Sequence, residues 1–600
     1  MKQPVLIGIL SRIKKHLLPI AVIAAFVLAS QWQLVRHINS AFFGRPFEDA
    51  IAVIWEFWWG LQVFLGNTTS VFFTPDVYFP NGYPLAADAQ PIWWMLLFSP
   101  LTYLLGPLMT YNVLLLVVLF AAGVGVYLLL EGLTGERWAG VISAAIYLTP
   151  PMVTIRLAGH FNILLGLAFL PYMALFWGRA LIAQERKKTT LYAVFTGLIY
   201  VLISLSSWYF VFIGFLVIGC LFLFPTKLVL LRDKLGKMAI LAFVWLLLTL
   251  PFLLLTVKAN QDLYGATATF SIAAADGQSI SLHRLFVPNP LNSIWGPWST
   301  GAFPLGSEET WLSLNYVAFI LGIIGFWKSD KRLRRPFGLL IILSLVLAMG
   351  TTLHWQDQRV VLRLPGVLAR GYAWLTGWLT LEITEEPAIP LPGLLLAKYL
   401  PFYASMRAWP RFMLSAILGL AVFGGFGAKY LLSTFKRGWL LVTVALLLIF
   451  VEGLIVPYNN FTRVADLHRP VDDWLKEQEP GSAMIEYPWP GRNKGALYGQ
   501  TIHGQPIVNG YAPHEPQFLI ENPAVTRPWP DAEAVAILDS WGVRYILATG
   551  PNHEAFNSGP LADMLALPTL CRVVTLPAGA PPGAANVHVF EIVAAGEECH

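Results

Sequence analysis

Long apolar runs recur along the first three quarters of the chain, separated by short polar segments. A helix needs about 20 apolar residues to cross a bilayer. Runs close to that length lie at 17–36, 109–130, 161–183, 190–206, 208–225, 238–257, 311–327, 336–353, 410–432 and 438–457. Two shorter runs lie at 91–105 and 139–153. This pattern predicts a polytopic α-helical membrane protein.

Lysine and arginine in the short loops indicate how the spans are oriented. Basic clusters at 186–188, 227–237, 328–335 and 436–437 can all face the cytoplasm together with Arg12, Lys14 and Lys15. The segments that then lie outside are 37–90 (the first loop), 258–310, 354–409 and the chain after 457. That arrangement needs an odd number of crossings, about 11 in a range of about 11 to 13. One short run is then a half-span, and the prolines at 91–105 favour that run.

The chain after residue 457 has a different character. Charge and proline content rise, and short strand-like stretches (SAMIEYPWP, QPIVNGY, VRYILAT and HVFEIVA) alternate with helical patterns such as PVDDWLKEQ. Such alternation predicts an α/β domain. We therefore divide the chain into a transmembrane domain, 1–457, and an extracytoplasmic α/β domain, 458–600. In that domain Cys571 and Cys599 have the option of a disulfide in an oxidising compartment.

Composition agrees with a membrane protein. Hydrophobic residues make up 56% of the 600 residues and charged residues only 12%, whereas soluble domains average about 25% charged. The net charge of +5 comes from loop residues that orient spans, so it does not imply nucleic acid. The sequence contains no Walker A motif, dinucleotide fingerprint or C-x-x-C pair, and it gives no support for nucleotide-dependent chemistry.

The first loop concentrates carboxylates beside the membrane. It carries Glu48, Asp49, Glu56, Asp76 and Asp88, with Arg45 as its single arginine and no lysine. Acids at a bilayer are costly unless they are solvated, bound to metal or used chemically. Asp49 also begins an amphipathic, tryptophan-rich segment suited to the membrane interface. The loop is therefore our first candidate for a functional site.

These features, in this order, resemble the GT-C superfamily of integral-membrane glycosyltransferases, which take sugars from polyprenyl-linked donors. The stretches that carry the resemblance are FEDAIAVIWEFWW, YFPNGYPLAADAQP, SPLTYLLGPLMTYN, AGHFN, MRAWPRF, QTIHGQPIVNGY and WGVRYIL. The resemblance lies in the order of spans, loops and terminal domain over the whole length, and it implies a GT-C-like fold. It further implies sugar transfer from a polyprenyl-phosphate carrier to an extracytoplasmic glycan, lipid or protein. The expected location is the inner or plasma membrane.

The resemblance also assigns candidate residues. A first-loop acid serves as catalytic base in the superfamily, and the matching position here is Asp49, with Glu48 as the alternative. Some members bind a divalent metal, which suggests Mg²⁺ or Mn²⁺ with Asp88 as the first candidate and Asp76 as the second. The sequence has no D-x-D pair in a later external loop, so the metal ligands stay unassigned.

Further candidates for substrate binding lie near the ends of later spans. His160 matches a second polar motif of the superfamily, and Arg156 is one helical turn away; the alternative is a helix-terminal histidine satisfied by a backbone carbonyl. Arg407 and Arg411 have the spacing of a phosphate clamp, or they snorkel to the interface. For Glu308 and its neighbour Glu309 we expect a solvated loop, with substrate contact as the alternative for Glu308.

Two other functional classes fit the same plan. A transporter or lipid-linked-glycan flippase predicts ionisable mid-span residues and repeated halves, but the spans are largely free of charge and no repeat is evident. A non-catalytic envelope scaffold shares the topology but has no use for Asp49.

Overall fold

The computed structural model describes residues 3–68, 70–87, 92–223, 231–265, 269–292, 294–302, 309, 311–377, 387–454, 461–489, 494–512, 514–551, 554–579 and 585–594. Two candidate site residues, Asp88 and Glu308, lie outside the described residues. Cys571 is disulfide-bonded, while Cys599 also lies outside the described part of the chain.

Helices dominate the chain up to residue 454, as predicted. The helices of this region are Gln3–Ser30, Trp32–Arg36, Asp49–Leu65, Ile92–Leu97, Ser99–Leu105, Pro107–Thr134, Arg137–Leu148, Pro151–Thr154, Phe161–Ile182, Arg186–Ser206, Tyr209–Phe222, Leu231–Tyr264, Ile272–Asp276, Gly296–Ala302, Tyr316–Lys328, Lys331–Ala348, Gly366–Thr376, Pro392–Tyr399, Met413–Thr434 and Gly438–Glu452. Short strand pairs join Phe73–Thr74 to Tyr83–Pro84 and His354–Trp355 to Gln358–Arg359.

Several helices are long and apolar enough to cross a membrane, so the protein is a multi-pass membrane protein. Within the described residues these are Pro107–Thr134, Phe161–Ile182, Arg186–Ser206, Leu231–Tyr264 and Trp409–Thr434. A sixth candidate consists of Arg137–Leu148 and Pro151–Leu157, bent by 66°.

Both short apolar runs are interrupted. The run at 91–105 forms Ile92–Leu97 and Ser99–Leu105, and the run at 139–153 bends at its two consecutive prolines. A proline lacks the N–H that continues a helix and clashes with the preceding turn. The sequence placed the interruption at 91–105 in preference to 139–153, and the structure has a break in each.

The C-terminal domain contains a four-stranded mixed sheet. Its strands are, in spatial order, Ala483–Tyr487, Val543–Pro551, Ala585–Ile592 and Leu570–Pro577. The first pair is parallel and the others are antiparallel. The main helices of the domain are Pro470–Lys476, Lys494–His503, Gln517–Ile520, Ala532–Ser540, Glu554–Asn557 and Pro560–Leu565. The predicted α/β character is confirmed.

Two segments of this domain differ from the prediction. QPIVNGY contributes isolated bridges through Ile507 instead of a strand. The strand Leu570–Pro577 was not predicted. It is an edge strand, and the residues after its first two are exposed or half-buried. The strand therefore lacks the strong apolar alternation that signals a strand.

The C-terminal domain is bonded directly to the first loop. Ala41–Phe43 pairs antiparallel with Phe461–Arg463, and Ile507 N–H donates to the carbonyl of Asp76 at 2.9 Å. The buried indole of Trp55, on the helix Asp49–Leu65, donates to Gln500 Oε1 at 2.7 Å. These contacts join segments more than 400 residues apart and bring the helix Lys494–His503 against Asp49–Leu65.

Close helix packing stabilises the membrane part. Tyr316–Lys328 and Met413–Thr434 approach so closely that a Cβ at Gly325 would overlap the carbonyl oxygen of Phe423. Small residues permit such backbone contact between membrane helices.

Gly325→Ala is therefore expected to destabilise the protein by about 1 to 3 kcal/mol, because it overpacks this contact. The measurement is the thermal unfolding midpoint of the detergent-purified protein. The matched control is Gly178→Ala, at a helical position where a Cβ meets nothing within 4 Å and where alanine is preferred. Equal midpoints for the two variants would contradict the packing account.

Candidate functional site

Asp49 lies at the start of the first-loop helix Asp49–Leu65, and Glu48 is the extended residue that precedes it. The chain segment before Phe161–Ile182 passes directly over this helix start. Gly159 has φ +104°, and a Cβ there would overlap Asp49. Glycine is needed at this position for both reasons, and it brings the next residue, His160, to the carboxylate.

Three side chains face the Asp49 carboxylate. Oδ1 receives hydrogen bonds from the Lys494 ammonium at 2.5 Å and from the Tyr511 hydroxyl at 3.0 Å. Oδ2 lies 3.7 Å from His160 Nε2. Burial raises the pKa of Asp49, but the charge of His160 where that imidazole is protonated, the charge of Lys494 and the two hydrogen bonds lower it below its usual value. Asp49 is therefore ionised near neutral pH.

Beyond His160 is a buried Arg–Glu–Arg cluster formed by Arg156, Glu309 and Arg411. Arg156 binds Glu309 in a bidentate pair, and Arg411 donates to Glu309 Oε1 at 2.7 Å. Although burial alone raises the pKa of Glu309, the two guanidinium groups hold that pKa well below its usual value. Two cations and one anion leave the cluster with a net charge of +1.

His160 lies between the two carboxylates, with Nε2 3.7 Å from Asp49 and 3.8 Å from Glu309. Burial and the charges of Arg156 and Arg411 lower its pKa to about 3, so the imidazole is neutral near pH 7. Its buried Nδ1 has no hydrogen-bond partner among the described residues. Among the described residues, therefore, no backbone carbonyl accepts a hydrogen bond from this nitrogen, which was the alternative for His160.

These groups line one cavity of about 850 Å³. Its polar wall includes Asp49, Arg156, His160, Glu309, Arg407 and Arg411. Its apolar lining includes Leu246, Leu250, Leu253 and Val257 of the helix Leu231–Tyr264. Only 11% of the most apolar window of that helix is buried within the protein, against 94% for Trp409–Thr434. The apolar lining therefore belongs to a helix that faces lipid.

The other sequence candidates occupy different places. Arg407 is exposed at the cavity, with its guanidinium carbon 5.2 Å from the centre of the Phe270 ring. Glu48 lies outside the described cavity lining and forms an exposed ion pair with Arg45 at 3.7 Å. Burial raises the pKa of Asp76, whose backbone carbonyl binds the C-terminal domain. The structure therefore brings Asp49, Arg156, His160, Arg407 and Arg411 together and leaves Glu48 apart.

Sequence analysis missed three residues of the site. Glu309 was expected in a solvated loop, which is wrong: its side chain is 16% exposed and held by two arginines. Lys494 and Tyr511 come from the C-terminal domain, and Lys494 is 445 residues from Asp49. Nothing local in the sequence links them to the first loop.

The described residues do not fit a divalent-metal centre. Among them no three His, Cys, Asp or Glu side chains come together as a ligand set. Asp49 and Glu309 are instead paired with lysine and arginine. The first-choice ligand of the sequence analysis, Asp88, lies outside the described residues.

No protein-family model matches the sequence, and no curated protein matches it. Among solved structures, the arabinofuranosyltransferase AftD from Mycobacteria aligns with 96% of this chain at 13% identity and a TM-score of 0.53. The alignment covers 41% of AftD, so this chain spans about two fifths of its length.

Two further solved structures also align over most of the chain. One is the oligosaccharyltransferase AglB from Archaeoglobus fulgidus in complex with an inhibitory peptide and a dolichol-phosphate, with 10% identity, coverage of 89% of this chain and 69% of AglB, and a TM-score of 0.47. The other is ArnT from Cupriavidus metallidurans bound to undecaprenyl phosphate, with 13% identity, coverage of 97% and 99%, and a TM-score of 0.45.

The AftD likeness shows the fold alone: this chain shares the fold of that membrane glycosyltransferase, which agrees with the fold expected from the sequence. At 13% identity it does not establish a substrate.

Glu309→Gln is expected to destabilise the protein by about 3 to 5 kcal/mol, because it leaves two buried guanidinium groups without their counter-charge. Thermal unfolding of the purified protein measures the loss. The control is Glu477→Gln, an exposed carboxylate of the C-terminal domain. A loss no larger than that of the control would show that the cluster does not depend on the charge of Glu309.

Proposed function

We propose that this protein is a glycosyltransferase that moves a sugar from a polyprenyl-phosphate-linked donor to an extracytoplasmic acceptor, with Asp49 as the base. The acceptor is a cell-envelope glycan, a lipid or a protein. The observation that carries the proposal is that Asp49 lines the same cavity as an apolar helix, Leu231–Tyr264, that is largely unburied within the protein. The fold shared with the arabinofuranosyltransferase AftD supports it.

The Asp49 carboxylate suits a single inverting displacement. As the acceptor hydroxyl oxygen attacks the anomeric carbon, Asp49 takes its proton. The bond between the anomeric carbon and the phosphate oxygen breaks, and the phosphate leaves with the bonding electron pair. Oδ1 is already occupied by Lys494 and Tyr511, so Oδ2 is the oxygen that accepts the proton.

The cavity offers the isoprenoid chain of a lipid-linked donor an apolar surface. Leu246 and Leu250 are 52% and 40% exposed and line the cavity from a helix in contact with lipid. An isoprenoid chain that lies along them stays in an apolar environment throughout.

Arginine side chains meet the charge of the phosphate. The exposed Arg407 and the net positive Arg–Glu–Arg cluster share the polar wall. Guanidinium groups bind phosphate through charge-assisted hydrogen bonds, and they stabilise the negative charge that develops on the leaving phosphate. These residues supply this charge stabilisation from the protein itself.

The proposal places the site on the outer side of the inner or plasma membrane. With the basic clusters in the cytoplasm, the N-terminus is cytoplasmic, while the first loop and the C-terminal domain are outside. Both partners of the Asp49–Lys494 pair then belong to external segments, which is consistent with their direct contact.

Asp49→Asn is expected to lower sugar transfer by at least about 100-fold, because the amide cannot take the acceptor proton. The assay presents synthetic polyprenyl-phosphate pentoses and hexoses to the protein in proteoliposomes with envelope extract and measures label transfer. Asp563→Asn, an exposed carboxylate of the C-terminal domain, is the control. Glu48→Gln discriminates between the adjacent acids and is expected to retain transfer. Wild-type transfer by well-expressed Asp49→Asn would overturn the proposed mechanism.

A further inference from the structure

The C-terminal domain supplies the only two hydrogen bonds that the described residues make to Asp49 Oδ1. Lys494 is the first residue of the helix Lys494–His503, and Tyr511 follows that helix. The Lys494 ammonium also lies 4.1 Å from the centre of the Tyr511 ring. Ammonium, phenol and carboxylate thus form one compact group that joins two distant parts of the chain.

We propose that Lys494, together with the Tyr511 hydroxyl, is a positioning group that holds Asp49 Oδ1 and leaves Oδ2 as the oxygen that accepts the proton. The inference rests on the proposed function, in which Asp49 is the base, and it makes the C-terminal domain an obligate part of the site.

The cavity lining separates Lys494 from substrate contact. Asp49 and Tyr511 line the cavity, whereas Lys494 is not among its described lining residues. The lysine side chain is 13% exposed and contacts Oδ1. It therefore acts on the substrate through Asp49, and the oxygen that faces His160 stays available.

The position of Lys494 is fixed by packing. Further along the same helix, the fully buried Gln500 accepts the Trp55 indole N–H at 2.7 Å and donates to the Asp76 carbonyl at 2.7 Å. Both partners belong to the first loop. The docked helix holds the ammonium against Asp49 before any substrate binds, so no reorganisation is needed during the reaction.

Among the charged groups around Asp49, Lys494 is the cation that contacts the carboxylate directly. On its own element, Glu48 and Arg45 form an exposed pair with each other. From the other elements, Lys494, Tyr511 and His160 face the carboxylate directly.

Farther away, the charge of Arg411 also acts on Asp49, but that guanidinium is paired with Glu309, which also binds Arg156. His160 is neutral near pH 7. The unshared cation in contact with Asp49 among the described residues is therefore Lys494, and it opposes the burial that raises the pKa of the carboxyl.

Removal of the Lys494 ammonium changes the pKa of Asp49 in a defined direction. Without Lys494, one of the groups that oppose the effect of burial is lost and the pKa of Asp49 rises, so the base is protonated over a wider range of acidic pH. Loss of a contacting cation typically raises a carboxyl pKa by about 1 to 3 units. The low-pH limb of sugar transfer then moves to higher pH.

Infrared titration measures this effect without a substrate. The C=O stretch of a protonated carboxyl is followed against pH, and the difference between a protein and its Asp49→Asn derivative isolates Asp49. We expect Lys494→Met to raise the midpoint by at least about one pH unit. Tyr511→Phe is expected to raise it by less. Lys476→Met, an exposed lysine of the same domain, is the matched control and leaves the midpoint unchanged.

An unshifted midpoint in folded Lys494→Met would overturn the inference. If that variant does not fold, Tyr511→Phe decides it: an upward shift supports the inference and an unchanged midpoint overturns it.

The pH profile of transfer separates this inference from the proposed function. An upward shift of the low-pH limb in Lys494→Met supports positioning, whereas a lower plateau with an unmoved limb indicates a purely structural role. If Asp49→Asn abolishes transfer but Lys494→Met shifts neither profile nor midpoint, the inference alone fails. If Asp49→Asn transfers sugar at the wild-type rate, the proposed function fails whatever the titration shows.

Discussion

Two partly buried carboxylates, Asp49 at 34% and Glu309 at 16% exposure, must remain charged beside a membrane, and the site depends on how the chain makes this possible. An ion removed from water loses several kcal/mol of solvation unless a counter-ion replaces the water. Glu309 receives two guanidinium groups, and Asp49 receives an ammonium and a phenol. The neutral His160 separates the two groups. One carboxylate is thereby fully engaged, while the other keeps one oxygen available to the cavity.

The fold brings these counter-ions together from distant parts of the chain. Arg156 lies in a bent helix pair, Arg411 at the start of a deeply buried span, and Lys494 in the C-terminal domain. None of these elements is near the others in sequence. The strand pair between Ala41–Phe43 and Phe461–Arg463 and the bond from Trp55 to Gln500 hold the domain that carries Lys494 against the first loop. The C-terminal domain is therefore part of the site as well as a neighbour of the membrane domain.

Sequence reasoning found what local pattern controls. Apolar runs predicted the helices, strand alternation predicted the α/β domain, and clustered acids drew attention to Asp49. Charge pairing over hundreds of residues has no local signal, so Lys494 and Tyr511 were missed. Glu309 was taken for a solvated residue because two adjacent acids in a loop usually are. Glu48 and Asp49 look equivalent in sequence, but the helix begins between them. Glu48 is exposed and forms an ion pair with Arg45, whereas Asp49 lines the cavity.

The central claim is that the cavity holds a lipid-linked phosphate within reach of Asp49. A structure of the protein with a bound polyprenyl phosphate tests this most directly. The account predicts the isoprenoid chain along Leu246 and Leu250, and the phosphate on the polar wall between Arg407 and Asp49. A lipid phosphate bound elsewhere, with Asp49 facing no part of it, would contradict the account.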